Sequence, residues 1–192
     1  MLISMSDSQS VSLAGQMLLA LPGMGDPRFD HAVIAMMAHS TDGALGIGLG
    51  RARQGLGLHA LLEDLDIDPG VAPDCAVLDG GPVEPQRGFV LHSPEWDGGD
   101  TILAGELCAM SASLEVLRAI AEGRGPSRFL IALGYAGWSG GQLEGELHRH
   151  GWQVIDGDPA ILFDTPPENR WRAAWQGLGI DPALLAGQTG RA

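Results

Sequence analysis

Residues 137–141, Gly-Trp-Ser-Gly-Gly, are the strongest indication of catalytic chemistry in this sequence. They match G-x-S-x-G and lie between a predicted strand and a predicted helix, where the nucleophile of a serine hydrolase stands. In that fold an acid and then a histidine follow the serine along the chain. Here the last histidine, His150, belongs to the predicted helix directly after Ser139, and no histidine follows Asp156. A triad around Ser139 would need a histidine from earlier in the chain: His39, His59 or His92.

The same residues have a structural explanation. Ser139 and Gln142 have the S-x-x-Q spacing of a capping box, and the glycines allow a tight turn from strand to helix. We therefore expect a structural role for Ser139. The residues favour a binding protein over an enzyme, with a serine hydrolase that uses Ser139 as the alternative.

Other patterns that bind cofactors or metals are incomplete. The glycines of residues 46–50 lack the third glycine of a dinucleotide-binding loop, and a chain without lysine has no phosphate-binding P-loop. The acidic run at residues 64–68 copies the first three ligands of a calcium loop, but Cys75 occupies the position of its bidentate glutamate. We therefore expect no cofactor and no metal.

The charge of the chain argues against nucleic acid as a partner. There are 24 acidic residues against 11 basic ones, all arginine, which gives a formal net charge of −13. Affinity for nucleic acid comes mostly from basic residues that neutralise phosphates. Direct nucleic-acid binding is therefore not expected, and a DNA-binding transcriptional regulator is the weaker alternative. Membrane insertion is not expected either, because the apolar stretch 11–21 is shorter than the ~20 residues that cross a bilayer.

Cysteine usage and the start of the chain predict the compartment. Cys75 and Cys108 have neither the number nor the spacing of a disulfide framework or a zinc site, which indicates two thiols in a reducing cytoplasm. No basic residue precedes Arg28, so the start lacks the basic region of a secretory signal. We expect a soluble cytoplasmic protein in which residues 1–10 form a loose N-terminal tail.

The elements that position these residues can be predicted from hydrophobic periodicity and turn residues. The pattern predicts strands over residues 16–21, 44–49, 75–78, 88–92, 102–110, 128–133 and 152–155, and helices over 58–65, 114–121 and 143–150. Residues 31–39 form an apolar run that fits a strand or a helix. Strands outnumber helices and come in a run before the helices dominate, which favours an α+β fold. No linker or repeat interrupts residues 1–192, so we expect a single domain.

The last long helix has the clearest local signals. Thr165 and Glu168 have capping-box spacing, with Pro166 at the first helical position. Its predicted buried stripe is formed by apolar residues at helical spacing: Trp171, Ala174, Trp175 and Leu178.

From about Gly15 to Ala192 the chain resembles the AlgH/YqgE family of bacterial proteins. The blocks that carry the resemblance are residues 18–22, 26–29, 39–46, 80–83, 87–93, 134–144 and 162–171, together with Met24 and Trp152. One block departs from the family pattern: an Asn-Lys/Arg-Pro segment usually follows Gly46, and this chain reads Leu-Gly-Arg-Ala-Arg at residues 49–53. The family pattern also does not require serine at position 139.

The resemblance implies a fold and a broad role. It implies an α+β structure with a bifurcated, partly barrel-like β-sheet surrounded by helices. The family takes its name from a proposed regulatory role in exopolysaccharide synthesis, and the resemblance implies no reaction.

Polar residues within the family-like loops are the candidate site, because loops that need particular polar residues more often mark sites than packing. They are Asp26, Arg28, His39, Arg87, His92, Tyr135 and Trp138. Asp26 and Arg28 can equally form a local turn pair, and Arg87 and His92 flank a predicted strand without having to face the same way. The leading hypothesis is a regulatory or binding protein that acts through a protein partner or a small ligand.

Overall fold

Ten β-strands form a curled half-barrel in the computed structural model, which describes residues 11–149 and 151–186. In chain order the strands are β1 (Gln16–Ala20), β2 (Val33–Ser40), β3 (Gly43–Gly48), β4 (Ala52–Gly57), β5 (Ala76–Asp79), β6 (Val83–His92), β7 (Ile102–Ala104), β8 (Cys108–Ser111), β9 (Phe129–Ser139) and β10 (Trp152–Asp156). The helices of the described residues are α1 (Leu58–Asp64), α2 (Leu114–Ala121), α3 (Gln142–His148), α4 (Pro167–Gly177) and α5 (Pro182–Ala186). This confirms the α+β fold.

The sheet divides at strand β9. The strands run in the order β10-β1-β2-β3-β9-β6-β8-β7, with antiparallel neighbours along this path. The second half of β9, from Ala136 to Ser139, pairs with β3. The first half pairs with β6 on one side and in parallel with β5 on the other, and β5 also pairs with β4. The predicted bifurcation of the sheet is therefore this change of partners along β9.

Glycines make the division of the sheet possible. Gly134 lies at the middle of β9 with φ at +79°, a left-handed conformation that favours glycine. A Cβ atom on Gly134 would overlap the carbonyl oxygen of Gly81, and one on Gly80 would overlap the carbonyl oxygen of Gly134. The turn between β5 and β6 and the bend of β9 thus touch through their backbones.

Three groups of buried apolar residues hold the helices on the sheet. The largest lies between the sheet and α4 and includes Trp171 and Trp175. A second lies under α1 and α2, and a third lies under α3 around Trp138 and Trp152. Large aromatic side chains contribute most to such burial, so α4 and α3 are each fixed by a pair of tryptophans.

The structure corrects several local predictions. Residues 31–39 form strand β2 from Val33, and the predicted strand 102–110 is the hairpin of β7 and β8. The predicted strand 128–133 runs on to Ser139, so residues 137–139 of the G-x-S-x-G motif belong to β9 itself. The predicted helix 143–150 ends at His148, and His150 lies outside the described residues, as does the predicted N-terminal tail 1–10.

The capping box predicted for α4 is wrong. A π-helical turn, Ala160–Asp164, precedes α4, and the Thr165 hydroxyl donates to the Ala160 carbonyl at 3.0 Å. Pro166 is the N-cap instead, and the helix begins at Pro167. The predicted buried stripe holds for Trp171, Ala174 and Trp175, whereas Leu178 lies past the helix end and is exposed. None of the described helices is long and apolar enough to cross a membrane.

Candidate functional site

Three of the seven predicted site residues line one surface chamber. Asp26 and Arg28, from the loop between β1 and β2, and Trp138, near the end of β9, border a chamber of about 350 Å³ with Glu146 and Arg149. We call it the tryptophan chamber. The other four predicted residues lie elsewhere.

Asp26 and Arg28 form the local turn pair that the sequence allows. The Asp26 carboxylate accepts the backbone N–H of Arg28 at 3.0 Å and the guanidinium Nη2 at 2.7 Å. The side-chain hydrogen bond from Arg28 is the main cause that lowers the pKa of Asp26, and the same bond raises the pKa of Arg28. The Arg28 side chain is 71% exposed, so this pair adds little to stability.

Trp138 is fixed by a carboxylate that it shares with a second tryptophan. Glu146 on α3 accepts the indole N–H of Trp138 and that of Trp152, each at 3.0 Å. The Gln142 amide donates to the other Glu146 oxygen at 3.2 Å. Both tryptophans are buried. These bonds pack α3 against β9 and β10, so Trp138 serves the structure and forms a wall of the chamber.

His39 and His92 are held in structural hydrogen bonds away from the chamber. His39 accepts the backbone N–H of Leu13 through Nδ1 at 3.1 Å, which leaves Nε2 to donate to Glu144 at 2.9 Å. The His92 ring is fully buried; its Nδ1 lies 2.9 Å from the Ser93 carbonyl and its Nε2 3.0 Å from the Ser111 hydroxyl. Every ring nitrogen of the two histidines therefore has a partner, as expected for buried polar groups.

Arg87 and Tyr135 meet through Phe89 on neighbouring strands β6 and β9. The Arg87 guanidinium lies 5.3 Å from the centre of the Phe89 ring, and the Tyr135 ring contacts Phe89 edge-on at 5.9 Å. Arg87 also donates to Glu84 at 3.1 Å. This cluster is separate from the tryptophan chamber.

Ser139 ends strand β9 and is exposed. Its hydroxyl donates to the Gln142 side-chain oxygen at 3.3 Å, and its backbone N–H donates to the same oxygen at 3.1 Å. Among residues 11–149 and 151–186, no histidine forms a hydrogen bond with it. Gly141, and not Ser139, is the N-cap of α3. Of the predicted capping box, the hydrogen bond from the Ser139 backbone N–H to Gln142 forms, but the Ser139 hydroxyl does not cap the helix.

A larger cleft adjoins the tryptophan chamber, and sequence reasoning did not assign it. Its volume is about 580 Å³, and its walls come from the β1–β2 loop, the β3–β4 connection, the turn at residues 79–82 and the start of α4. It collects four of the eleven arginines of this acidic chain: Arg28, Arg51, Arg53 and Arg172. We call it the arginine cleft.

Two of these arginines have no carboxylate partner within the described part of the chain. Arg51 donates to backbone carbonyls only, at 3.1 Å to Pro27 and 3.3 Å to Asp30. Arg172 on α4 is exposed and forms no ion pair among the described residues. By contrast, Arg53 lies 4.0 Å from Asp79. Arg51 and Arg172 therefore keep guanidinium donors free for an anion.

One wall of the cleft carries aromatic rings. His31 has a left-handed backbone, with φ at +56°, and its ring lies 4.2 Å from that of Trp171, edge-on. Trp171 donates its indole N–H to the Ala20 carbonyl at 2.8 Å. The Trp171 ring is thus fixed, and His31, whose side chain is 62% exposed, stands at the solvent side.

Arg170 fixes the helix that carries Arg172. Its guanidinium is buried and donates to three backbone carbonyls: Leu49 at 2.7 Å, Ile161 at 3.1 Å and Leu162 at 2.9 Å. Burial lowers the pKa of Arg170 to about 10, so it stays charged at neutral pH. These bonds join α4 and the π-helical turn to the end of β3, and Arg172, two residues on, faces away from the interior.

The cleft is not apparent in the sequence because its residues come from segments that are far apart along the chain. In the sequence, the arginines at positions 51 and 53 are distinguished only by the departure from the family pattern, and Arg172 belongs to no motif. The usable signal was the concentration of rare cations in a chain with net charge −13. The described residues hold no group of three or more His, Cys, Asp or Glu placed to bind a metal ion.

Comparison with known proteins decides the family. A family model described as AlgH-like matches residues 17–183. The chain belongs to the AlgH-like family. Among AlgH-like relatives, a UPF0301 protein of Novosphingobium aromaticivorans is 65% identical over 96% of this chain and 100% of its own length. A UPF0301 protein of Rhizorhabdus wittichii is 58% identical over 94% of this chain and 97% of its own.

Two solved structures share the fold. The solution structure of AlgH from Pseudomonas aeruginosa is 44% identical, covers 98% of this chain and 100% of its own, and superposes with a TM-score of 0.76. A crystal structure of a protein from Corynebacterium diphtheriae is 22% identical, covers 90% of each chain, and has a TM-score of 0.70. The resemblance predicted from the sequence blocks is therefore confirmed. The names of these relatives state no activity, substrate or partner.

Proposed function

We propose that this protein reversibly binds a small organic anion, with a phosphate or carboxylate group, in the arginine cleft. The observation that carries the proposal is the presence of Arg51 and Arg172, with no carboxylate partner among the described residues, on the wall of one cleft. Guanidinium groups pair with phosphate and carboxylate through two parallel hydrogen bonds. Unused donors of this kind, gathered in a concave site, suit an anionic ligand.

The size of the cleft limits the class of ligand. At about 580 Å³ it lies within the roughly 300–1,000 Å³ that is usual for small-molecule sites. Charges give a second limit: the lining carries four arginines against three carboxylates, those of Asp30, Asp79 and Glu168. Because Asp26 pairs with Arg28, the cleft is close to neutral in a protein of net charge −13, and this suits a ligand with a single anionic group in the cleft.

The lining favours binding of an anion over attack by a hydroxyl, thiol or amine. The described residues of the cleft include no serine, threonine, cysteine, lysine or tyrosine, which are common catalytic nucleophiles. Ser139, the nucleophile of the alternative hydrolase hypothesis, hydrogen-bonds to Gln142 instead of a histidine. We therefore place the activity in ligand recognition, and a regulatory protein would transmit this recognition to a partner.

We also propose a cytoplasmic location. The observation that supports it is that Cys75 and Cys108 are both free thiols. Free thiols persist in reducing compartments. As for the ligand, the net charge of −13 argues against nucleic acid.

Calorimetric titration with simple anions tests the proposal. Inorganic phosphate, n-butyl phosphate and butyrate are titrated into the wild type at low ionic strength, which leaves ion pairs unscreened. We expect saturable binding of at least one of the three. Arg172→Gln and Arg51→Gln should each weaken it about tenfold or more, because a charge-assisted hydrogen bond contributes ~1.5–3 kcal/mol.

The matched control is Arg118→Gln on α2. It removes the same charge from an exposed position outside the cleft, and it should leave the affinity unchanged. Absence of saturable binding in the wild type would overturn the proposal. So would an equal loss of affinity in Arg118→Gln and Arg172→Gln, since it would mean that only the overall charge matters.

A further inference from the structure

The arginine cleft and the tryptophan chamber are neighbours on the surface. They share four wall residues: Arg28, Phe29, Pro82 and Ala136. Their volumes are about 580 and 350 Å³. A ligand that occupies both must cross these shared residues.

The chamber has its own cation available. Arg149 follows α3, is exposed, and forms no ion pair within residues 11–149 and 151–186. The two carboxylates of the chamber are already engaged: Asp26 binds the Arg28 guanidinium, and Glu146 accepts two indole N–H groups and an amide. Glu146 keeps its negative charge because these donors are neutral, so Arg149 offers an anion guanidinium donors without an ion pair rather than a net positive site.

The residues that the cleft and the chamber share are uncharged apart from Arg28. Phe29, Pro82 and Ala136 line both volumes, and the Phe29 ring lies edge-on to Trp152 at 5.4 Å. Arg28 at the boundary is neutralised by Asp26. Each of the two volumes therefore carries a guanidinium without an ion pair among the described residues, and uncharged residues lie among those they share.

We infer that the ligand is an elongated dianion, with one anionic group in the arginine cleft, a second at Arg149, and an uncharged body across Pro82 and Ala136. This inference rests on the proposed function, because it places the first anionic group where that proposal does. Each charged end of such a ligand meets a guanidinium that lacks a carboxylate among the described residues. A monoanion would leave Arg149 unused.

Titration of matched mono- and diphosphates tests this inference. Alkanediol bisphosphates of increasing chain length are compared by calorimetry with the corresponding alkyl monophosphates, in the same low-salt buffer. We expect one range of chain lengths in which the second phosphate tightens binding about tenfold, as an added charge-assisted contact does. Shorter chains should bind no better than the monophosphates.

Two variants assign the second contact. Arg149→Gln should abolish the advantage of the bisphosphate and leave the monophosphate affinity unchanged, whereas Arg172→Gln should weaken both probes. If monophosphates bind and no chain length gains from the second phosphate, the inference is wrong and the proposed function stands. An equal loss for both probes in Arg149→Gln also contradicts the inference. If neither probe binds, the inference fails, and the proposed function fails with it only if butyrate does not bind either.

Discussion

Arg170 keeps a charged guanidinium in the protein interior without a carboxylate to neutralise it among the described residues. Its partners are the carbonyl oxygens of Leu49, Ile161 and Leu162. Carbonyl groups at the end of a strand and within a π-helical turn lack regular partners, and one guanidinium satisfies three of them. This contact orients α4, which carries Arg172 on the wall of the arginine cleft.

Replacing Arg170 with methionine should destabilise the protein by about 2–4 kcal/mol, because a similar volume is kept while three buried carbonyl groups lose their donor. Urea unfolding at neutral pH measures this free energy. Arg172→Gln on the same helix is the control and should stay within about 0.5 kcal/mol of the wild type. A methionine variant as stable as the control would show that water or rearrangement satisfies these carbonyls.

Glu95 is a second residue whose contacts predict a measurable behaviour. Its carboxylate accepts the backbone N–H and the hydroxyl of Ser127, each at 2.7 Å, and the hydroxyl of Ser93 at 2.8 Å. These bonds, led by the backbone N–H of Ser127, lower the pKa of Glu95 from 4.5 to about 2. They join the segment after β6 to the start of β9.

Stability should therefore decrease as the pH is lowered through the range in which the Glu95 carboxylate becomes protonated. A carboxyl whose pKa is lowered on folding stabilises the protein above its unfolded pKa and loses that contribution as pH falls through its folded pKa. The difference in unfolding free energy between wild type and Glu95→Gln should shrink from about pH 4.5 to about pH 2. The control is Glu106→Gln, whose carboxylate makes no hydrogen bond in the described part of the chain. A difference that stays constant across this window would contradict the assignment.

Strand β9 is the element on which the fold depends, since it changes partners at Gly134. The sequence predicts most elements by type, because long apolar runs and Gly/Pro turns mark them. It does not predict that β9 continues to Ser139, since a strand that exchanges one partner for another at a glycine has no periodicity of its own. It also does not predict the π-helical turn before α4, which competes with the capping box of Thr165 and Glu168.

A pair of glycine substitutions tests the role of this bend. Gly134 and Gly141 both have a positive φ, at +79° and +76°. A Cβ on Gly134 would overlap backbone of the β5–β6 turn, whereas one on Gly141 meets nothing within 4 Å. Gly141→Ala should cost about 1 kcal/mol for the left-handed conformation alone, and Gly134→Ala about 3 kcal/mol or more. Equal losses in chemical unfolding would show that the close contact at the bend is dispensable.

The sequence predicts only part of the candidate site, because the fold of the whole chain brings its residues together. Asp26, Arg28 and Trp138 do line one chamber, because they lie on loops and strand ends that the half-barrel brings together. Arg51 and Arg172 lie on segments far apart in sequence, and only the pairing of β3 with its neighbours and the anchor at Arg170 place them on one cleft. His39 and His92, polar residues in family-like blocks, instead satisfy buried backbone and hydroxyl groups.

The distribution of charge gives the molecule its character as a whole. A net charge of −13 repels polyanions at a distance, yet screening in physiological salt limits that field to ~8 Å. Within the cleft, the guanidinium donors of Arg51 and Arg172, which have no carboxylate partner among the described residues, can contact an anion directly. The protein is therefore suited to a small anion that fits inside the cleft, and not to a long anionic polymer that lies along its surface. The single domain over residues 1–192 stays a prediction.

The most direct test of the central claim is a ¹H–¹⁵N NMR titration of the wild type with n-butyl phosphate, observing backbone amides and tryptophan indoles. The account predicts saturable shifts for residues of the arginine cleft, including the Trp171 indole, Gly81 and Arg172, and none for α2. Arg172→Gln should shift the midpoint of this titration to about tenfold higher ligand concentration. Absence of saturable shifts, or shifts centred on α2, would contradict the account.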